Sequence, residues 1–144
     1  INIFATQEKI MIQTVLATLL SFLVLDMLWI NLVAVGLYKS HLSNFLLRSP
    51  TGAIQPNFLA SGLFYVVAVS CLYLLAIRPA ASIKDALFVG CVAGLFAYGT
   101  YALTGQALFK NWRWIMTVLD ILWGVILCGA SACIGYYIKT KFGS

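Results

Sequence analysis

The chain has 144 residues, 9% of them charged and 62% hydrophobic, the latter about 65% once Gly (11) replaces Tyr (7) in the count; soluble domains run at ~25% and ~45–50%. Charge that sparse does not coat a globule, so the composition excludes a water-soluble enzyme, a disordered tail and a nucleic-acid module, and points to an all-α, polytopic membrane protein. The net charge of +5 comes from nine Lys and Arg spread singly between apolar blocks, the pattern of membrane flanks rather than of a polyanion site.

A hydrocarbon core of ~30 Å takes ~20 helical residues, and four gaps between charges have that room. The first, Lys9 to Lys39, contains only Asp26 and predicts a helix over about Ile12–Val35. This run is too long for a removable signal and lacks a small-x-small site after its core, so it is expected to stay; Met11 would serve equally as a translation start. Its polar stripe, Thr14, Thr18, Ser21, Asp26 and Trp29, covers ~140° at 100° per residue.

The connection from Gly36 to Asn57 holds the turn chemistry Ser49-Pro50-Thr51-Gly52 and Gln55-Pro56-Asn57. Phe45-Leu46-Leu47 is expected along the interface, and His41 in solvent. A second helix is predicted over Phe58–Ile77 and stopped by Arg78-Pro79. The third, Ala86–Thr104 with Ser82 as its cap, sets Gly90, Gly94, Ala97, Tyr98, Tyr101, Thr104 and Gly105 on one ~120° arc. Gly90 to Gly94 is a G-x-x-x-G packing pattern. Gly105 to Arg113 links the last two helices, with Trp112 and Trp114 where an aromatic belt would lie. The fourth, Trp114–Ile138, carries Thr117, Asp120, Gly124, Cys128, Ser131 and Gly135 within ~80°.

Residues 1–144 thus read as one membrane domain, a bundle of four transmembrane helices. An even number of spans puts both termini on one side, and five basic residues there against four opposite give little orientation. Cys71, Cys91, Cys128 and Cys133 sit inside apolar runs without C-x-x-C spacing, so neither a zinc site nor a disulfide framework is indicated. Small and polar stripes first mean helix packing, here at Gly90, Gly94, Gly124 and Gly135. A second reading makes Tyr98, Tyr101, Thr104, Thr117 and Ser131 a polar seam that passes or binds a solute.

Asp26-Met27-Leu28-Trp29 and Asp120-Ile121-Leu122-Trp123 share the pattern D-x-x-W, which two of the three aspartates carry. Helix direction alternates, so Asp26 and Asp120 lie ~14 Å and ~9 Å from the same edge at 1.5 Å per residue. An Asp near a helix centre costs ~2.5–3.5 kcal/mol on insertion scales and therefore faces protein or water. No Lys, Arg or His lies within the spans to neutralise them, so burial and mutual repulsion both favour protonation of at least one. Tyr and Thr hydroxyls and the indoles of Trp29 and Trp123 are the available partners. Two readings stay open: a hydrogen-bonded clasp between the first and fourth helices, or a titrating pair that couples proton or cation movement to transport.

At these residues the chain resembles the bacterial small-membrane-protein family called domain of unknown function 2177. The resemblance is carried by Asp26 and Trp29, Tyr38, Phe64-Tyr65, Pro79-Ala80, Tyr98, Tyr101, Leu103-Thr104, Trp112 and Asp120-x-x-Trp123-Gly124. It implies a four-helix membrane fold and no particular activity. Where the family pattern reads Tyr-Asp-Leu-Thr-Asn, this chain has Tyr101-Ala102-Leu103-Thr104-Gly105, without the acid and the amide.

The functional expectations are a small transporter or ion-binding protein working through Asp26 and Asp120, or a non-catalytic accessory subunit of a larger respiratory or photosynthetic membrane complex. The lipid bilayer is the first partner; other transmembrane subunits or a second copy of the chain stay open, and nucleic acid is excluded. With no H-E-x-x-H, no G-x-S-x-G and no nucleotide-binding glycine loop, neither enzymatic activity, a cofactor nor a bound metal is expected.

Overall fold

A computed structural model describes residues 3–41, 47–52 and 55–143. Four helical spans, Phe4–Leu37, Phe58–Ile77, Ile83–Leu108 and Trp114–Gly143, are long and apolar enough to cross a bilayer. The first is α1 (Ile3–Trp29), carried through a π-turn (Ile30–Ala34) into α2 (Val35–His41). The second is α3 (Phe58–Cys71), which ends in another π-turn (Leu72–Ile77). The third and fourth are α4 (Ile83–Leu108) and α5 (Trp114–Gly143).

Three spans outrun their expected limits of 12–35, 86–104 and 114–138. Absence of charge marks the hydrocarbon zone, whereas Lys, Glu and Gln beyond it have helix propensities close to those of Leu and let the helix continue. The stops follow local chemistry. Ser82 caps α4 reciprocally with Asp85, each side chain bonding the other's backbone N–H at 3.2 and 2.9 Å, which assigns the third aspartate to capping. Asn57 caps α3 by accepting from the Ala60 N–H at 3.1 Å. Gly52, at φ 82°, closes the Ser49–Gly52 turn through a 2.8 Å bond to the Ser49 carbonyl. Phe45 and Leu46, and the side chain of His41, lie outside what the structure describes.

Packing begins with α4 on α5, the most extensive pair. Their axes approach so closely that a Cβ on Gly94 would meet the Gly124 carbonyl, one on Gly124 the Tyr98 ring, and one on Gly90 the Ala132 methyl. Gly135 takes α5 against Thr18 of α1 and Ile77 of the second π-turn. A Cβ at any of these four glycines would thus meet atoms of a neighbouring helix or turn. In lipid, where no hydrophobic exclusion drives helices together, close backbone approach is what holds them.

A buried cluster of Phe22, Leu72, Ile77, Leu127 and Ala132 joins α1, the second π-turn and α5. Near the Pro79 turn, Lys139 Nζ donates to the carbonyls of Ile77 and Arg78 at 3.1 and 2.7 Å, satisfying acceptors that the end of a helix leaves open. The hydroxyls of Thr14, Thr18 and Ser21 instead bond carbonyls of their own helix, so they face the bundle without bridging it.

Candidate functional site

Of the four spans, the second is the least embedded and the fourth the most. Its α3 segment touches α1, and its contact with α4 runs through the π-turn Leu72–Ile77. Below that turn α3 and α4 diverge, leaving a groove of about 720 Å³. Leu63 and Val67 of α3 and Ala97 and Tyr101 of α4 line its mouth and are exposed, so it opens sideways, where acyl chains would lie. Its floor is α1 and α5, and both Asp26 and Asp120 line it.

The two aspartates are 6% and 8% exposed, and their surroundings differ. Asp26 Oδ2 accepts from the Tyr65 hydroxyl at 2.9 Å, and Oδ1 accepts from the Trp123 indole N–H at a longer 3.4 Å. Asp120 Oδ2 is sealed from its surroundings and has no hydrogen-bond partner among the described residues. Such an atom in a low-dielectric interior is costly and needs a reason. Trp29 and Trp123 stack face to face, centroids 4.8 Å apart and planes 4° from parallel. The stack places the two D-x-x-W segments at one level of the bundle, in the antiparallel pair α1 and α5, with Trp123 linked both to Trp29 and to Asp26.

The remaining residues singled out from the sequence divide. Tyr98 is half-buried, lines the groove and packs its ring over Gly124. Tyr101 lines the mouth and is 52% exposed, meeting Trp112 edge to face at 5.7 Å. Thr104 is exposed and does not line the groove. Thr117 is buried elsewhere: it accepts from the Trp112 indole at 3.1 Å and donates to Gln106 Oε1 at 3.1 Å, while Gln106 Nε2 reaches the Trp112 carbonyl at 3.2 Å. This knot fastens the turn between α4 and α5.

The continuous polar seam is thus corrected to two separate features, because α4 buries Gly99 and Ala102 in place of Ala97, Tyr101 and Thr104. Trp112, expected in a belt, is buried in the knot against Gly105, while Trp114 is exposed. Two residues central to this geometry had no assigned role in the reading of the residues themselves, Tyr65 and Gln106. A tyrosine in an apolar run facing an aspartate on another helix leaves no spacing signal, and only the family resemblance pointed at Tyr65. Cys71, Cys91, Cys128 and Cys133 are free thiols.

The model of the family described as Predicted membrane protein (DUF2177) matches residues 11–137. The chain belongs to this family. The match contains both D-x-x-W segments, Tyr65 and the whole groove. No curated protein and no solved structure matches the chain. Membership brings a membrane protein of uncharacterised activity, so any function must be argued from the groove.

Proposed function

We propose that this member of the family is a non-enzymatic, multi-pass membrane protein that binds a proton or cation at Asp26 and Asp120 and couples that binding to solute movement. The observation that carries this reading is Asp120, which lines a groove shared with a second acid and has one buried oxygen without a hydrogen-bond partner among the described residues. Ionisable residues at membrane depth are rare and recur along ion and proton pathways. The division of labour follows from the hydrogen bonds. Asp26 is held by Tyr65 and Trp123, whereas Asp120 has no such donors on its buried oxygen among the described residues. The spans alternate direction, which puts both termini on one side of the bilayer. Reconstituted in liposomes, the protein should support proton or cation flux that falls at least tenfold in Asp120→Asn and falls also in Asp26→Asn; equal flux in wild type and both variants refutes the carboxylate mechanism.

A second reading, an accessory subunit, is favoured by the divergence of α3 from α4, a space another protein's helix would fill. It requires stable co-purification with other membrane proteins in mild detergent. Recovery only as a monomer or a self-assembly speaks against it.

A further inference from the structure

The groove exists because short side chains meet where α3 and α4 part. Ala60 and Ala68 on α3 and Ala93 and Ala97 on α4 line it, leaving open a space that leucines would fill. At about 720 Å³ it has the size of a site for a small organic molecule. Its mouth lies on the bundle's lateral surface, where Leu63, Val67 and Ala97 are exposed. Both π-turns contribute to it, Ile30 and Ala34 from the first and Leu72 from the second. Two irregular turns framing one groove are a backbone-level mark of a site.

The polar groups of the groove carry both signs. Trp29 and Tyr98 line it, each half-buried. Among the described residues, neither the Trp29 indole N–H nor the Tyr98 hydroxyl has a hydrogen-bond partner, and neither is sealed as Asp120 Oδ2 is. The Tyr98 hydroxyl lies within electrostatic reach of Asp26, Tyr65 and Asp120, which puts it at the floor. Trp29 belongs to the same floor, since its ring stacks on Trp123 and the Trp123 indole donates to Asp26. The described lining thus holds two donors without acceptors and two carboxyls, and no Lys, Arg or His.

This combination selects a ligand by charge and by bonding. An anion would face two acids with no cation to receive it, and an ammonium would set its own donors against those of Trp29 and Tyr98. A hydrated ion of either sign would hold water against apolar walls. A bare hydrocarbon would leave both donors unpaired in apolar surroundings. We propose that the groove binds an uncharged lipophile headed by an oxygen acceptor, entering sideways from the bilayer. Its oxygen accepts from Trp29 and Tyr98, and its hydrocarbon body lies between α3 and α4. The inference rests on the preceding reading in one respect, that it names the solute whose movement the aspartates drive.

The test is photolabelling of the purified full chain in detergent by methyl undecyl ketone carrying a diazirine in its chain, with adducts mapped by peptide mass spectrometry. Adducts should fall on the groove residues of α3 and α4. Excess methyl undecyl ketone should suppress them at least tenfold, and tridecane and dodecylamine should not; this competition needs no variant to fold. Trp29→Phe and Tyr98→Phe each remove one donor and keep a ring, and each should lower labelling about three- to tenfold. Ala97→Trp fills the mouth and should lower it at least tenfold. Adducts spread round the lipid-facing surface, competition by tridecane or dodecylamine equal to that by the ketone, or unchanged labelling in both aromatic variants overturns the proposal. Aspartate-dependent flux without groove labelling overturns it alone and leaves the preceding reading standing. Groove labelling without such flux removes the carboxylate mechanism and keeps the ligand site.

Discussion

The two D-x-x-W segments are spelled almost alike and have come to opposite electrostatic conditions. Asp26 has Tyr65 from α3 on one oxygen and Trp123 on the other, while Asp120 on α5 keeps a buried oxygen with no donor among the described residues. The residue that follows each motif separates their neighbours. Gly124 after Trp123 lets Tyr98 of α4 lie directly on the α5 backbone. Ile30 after Trp29 instead opens a π-turn whose residues line the groove. π-turns of this kind recur at functional sites because they re-aim side chains within a helix. The acid of one motif is satisfied by its neighbours and that of the other is left with unused bonding capacity.

The largest effect expected on this asymmetry comes from Gly124→Leu. A Cβ there already meets the Tyr98 ring, so a full side chain forces α4 off α5 and should cost more than the ~1–3 kcal/mol of ordinary overpacking. Thermal unfolding in detergent reads it, and an unchanged melting temperature would contradict the close approach of α4 and α5.

Asp26→Leu and Asp120→Leu form the next pair. Removing Asp26 strands the Tyr65 hydroxyl and the Trp123 indole N–H and should destabilise by about 1–3 kcal/mol. Removing Asp120 deletes a buried oxygen with no partner among the described residues and should be neutral or stabilising. Equal losses in both would give Asp120 a structural partner and dissolve the distinction.

Tyr65→Phe removes one of the two donors to Asp26 and nothing from Asp120. Hydrogen bonds between membrane helices average ~0.6 kcal/mol in double-mutant cycles. The expected loss is of that size, and it should vanish in an Asp26→Leu background.

The smallest effect is Trp29→Phe, which keeps an aromatic ring but weakens a stack that is worth about 0.5–1.5 kcal/mol beyond its area. Trp123→Phe should cost more, because it also removes the bond to Asp26. Both variants should abolish the exciton couplet that parallel indoles 4.8 Å apart give in circular dichroism. A couplet surviving either change would show that the stack is not formed.

Legibility from the sequence differed from helix to helix, and for a physical reason. On α5, Thr117, Asp120, Gly124, Cys128, Ser131 and Gly135 are all buried, as their spacing predicts. That helix contacts α1, α4 and the second π-turn, so its small and polar residues had only one direction in which to be useful. On α4 the stripe was half right. Gly90 and Gly94 are buried, but Tyr101 and Thr104 face outward, because a tyrosine or threonine at a lipid-exposed helix end meets little penalty and mimics an inward one. Phe22, Leu72, Ile77 and Leu127 are fully or almost fully buried without any sequence mark. When the surrounding solvent is as apolar as the core, hydrophobicity stops reporting burial.

Composition and the spacing of charges by themselves determined that lipid is this chain's solvent, how many times it crosses, and that two acids lie inside the spans. These follow from bilayer thickness, helix rise and the cost of charge in hydrocarbon, each a property of local sequence. The tertiary structure alone decided which acid Tyr65 and Trp123 would satisfy, that α3 would lean away from α4, and that the resulting groove would open sideways. Those outcomes depend on which faces meet, and contact between apolar surfaces in an apolar medium is settled by shape, which no linear pattern encodes.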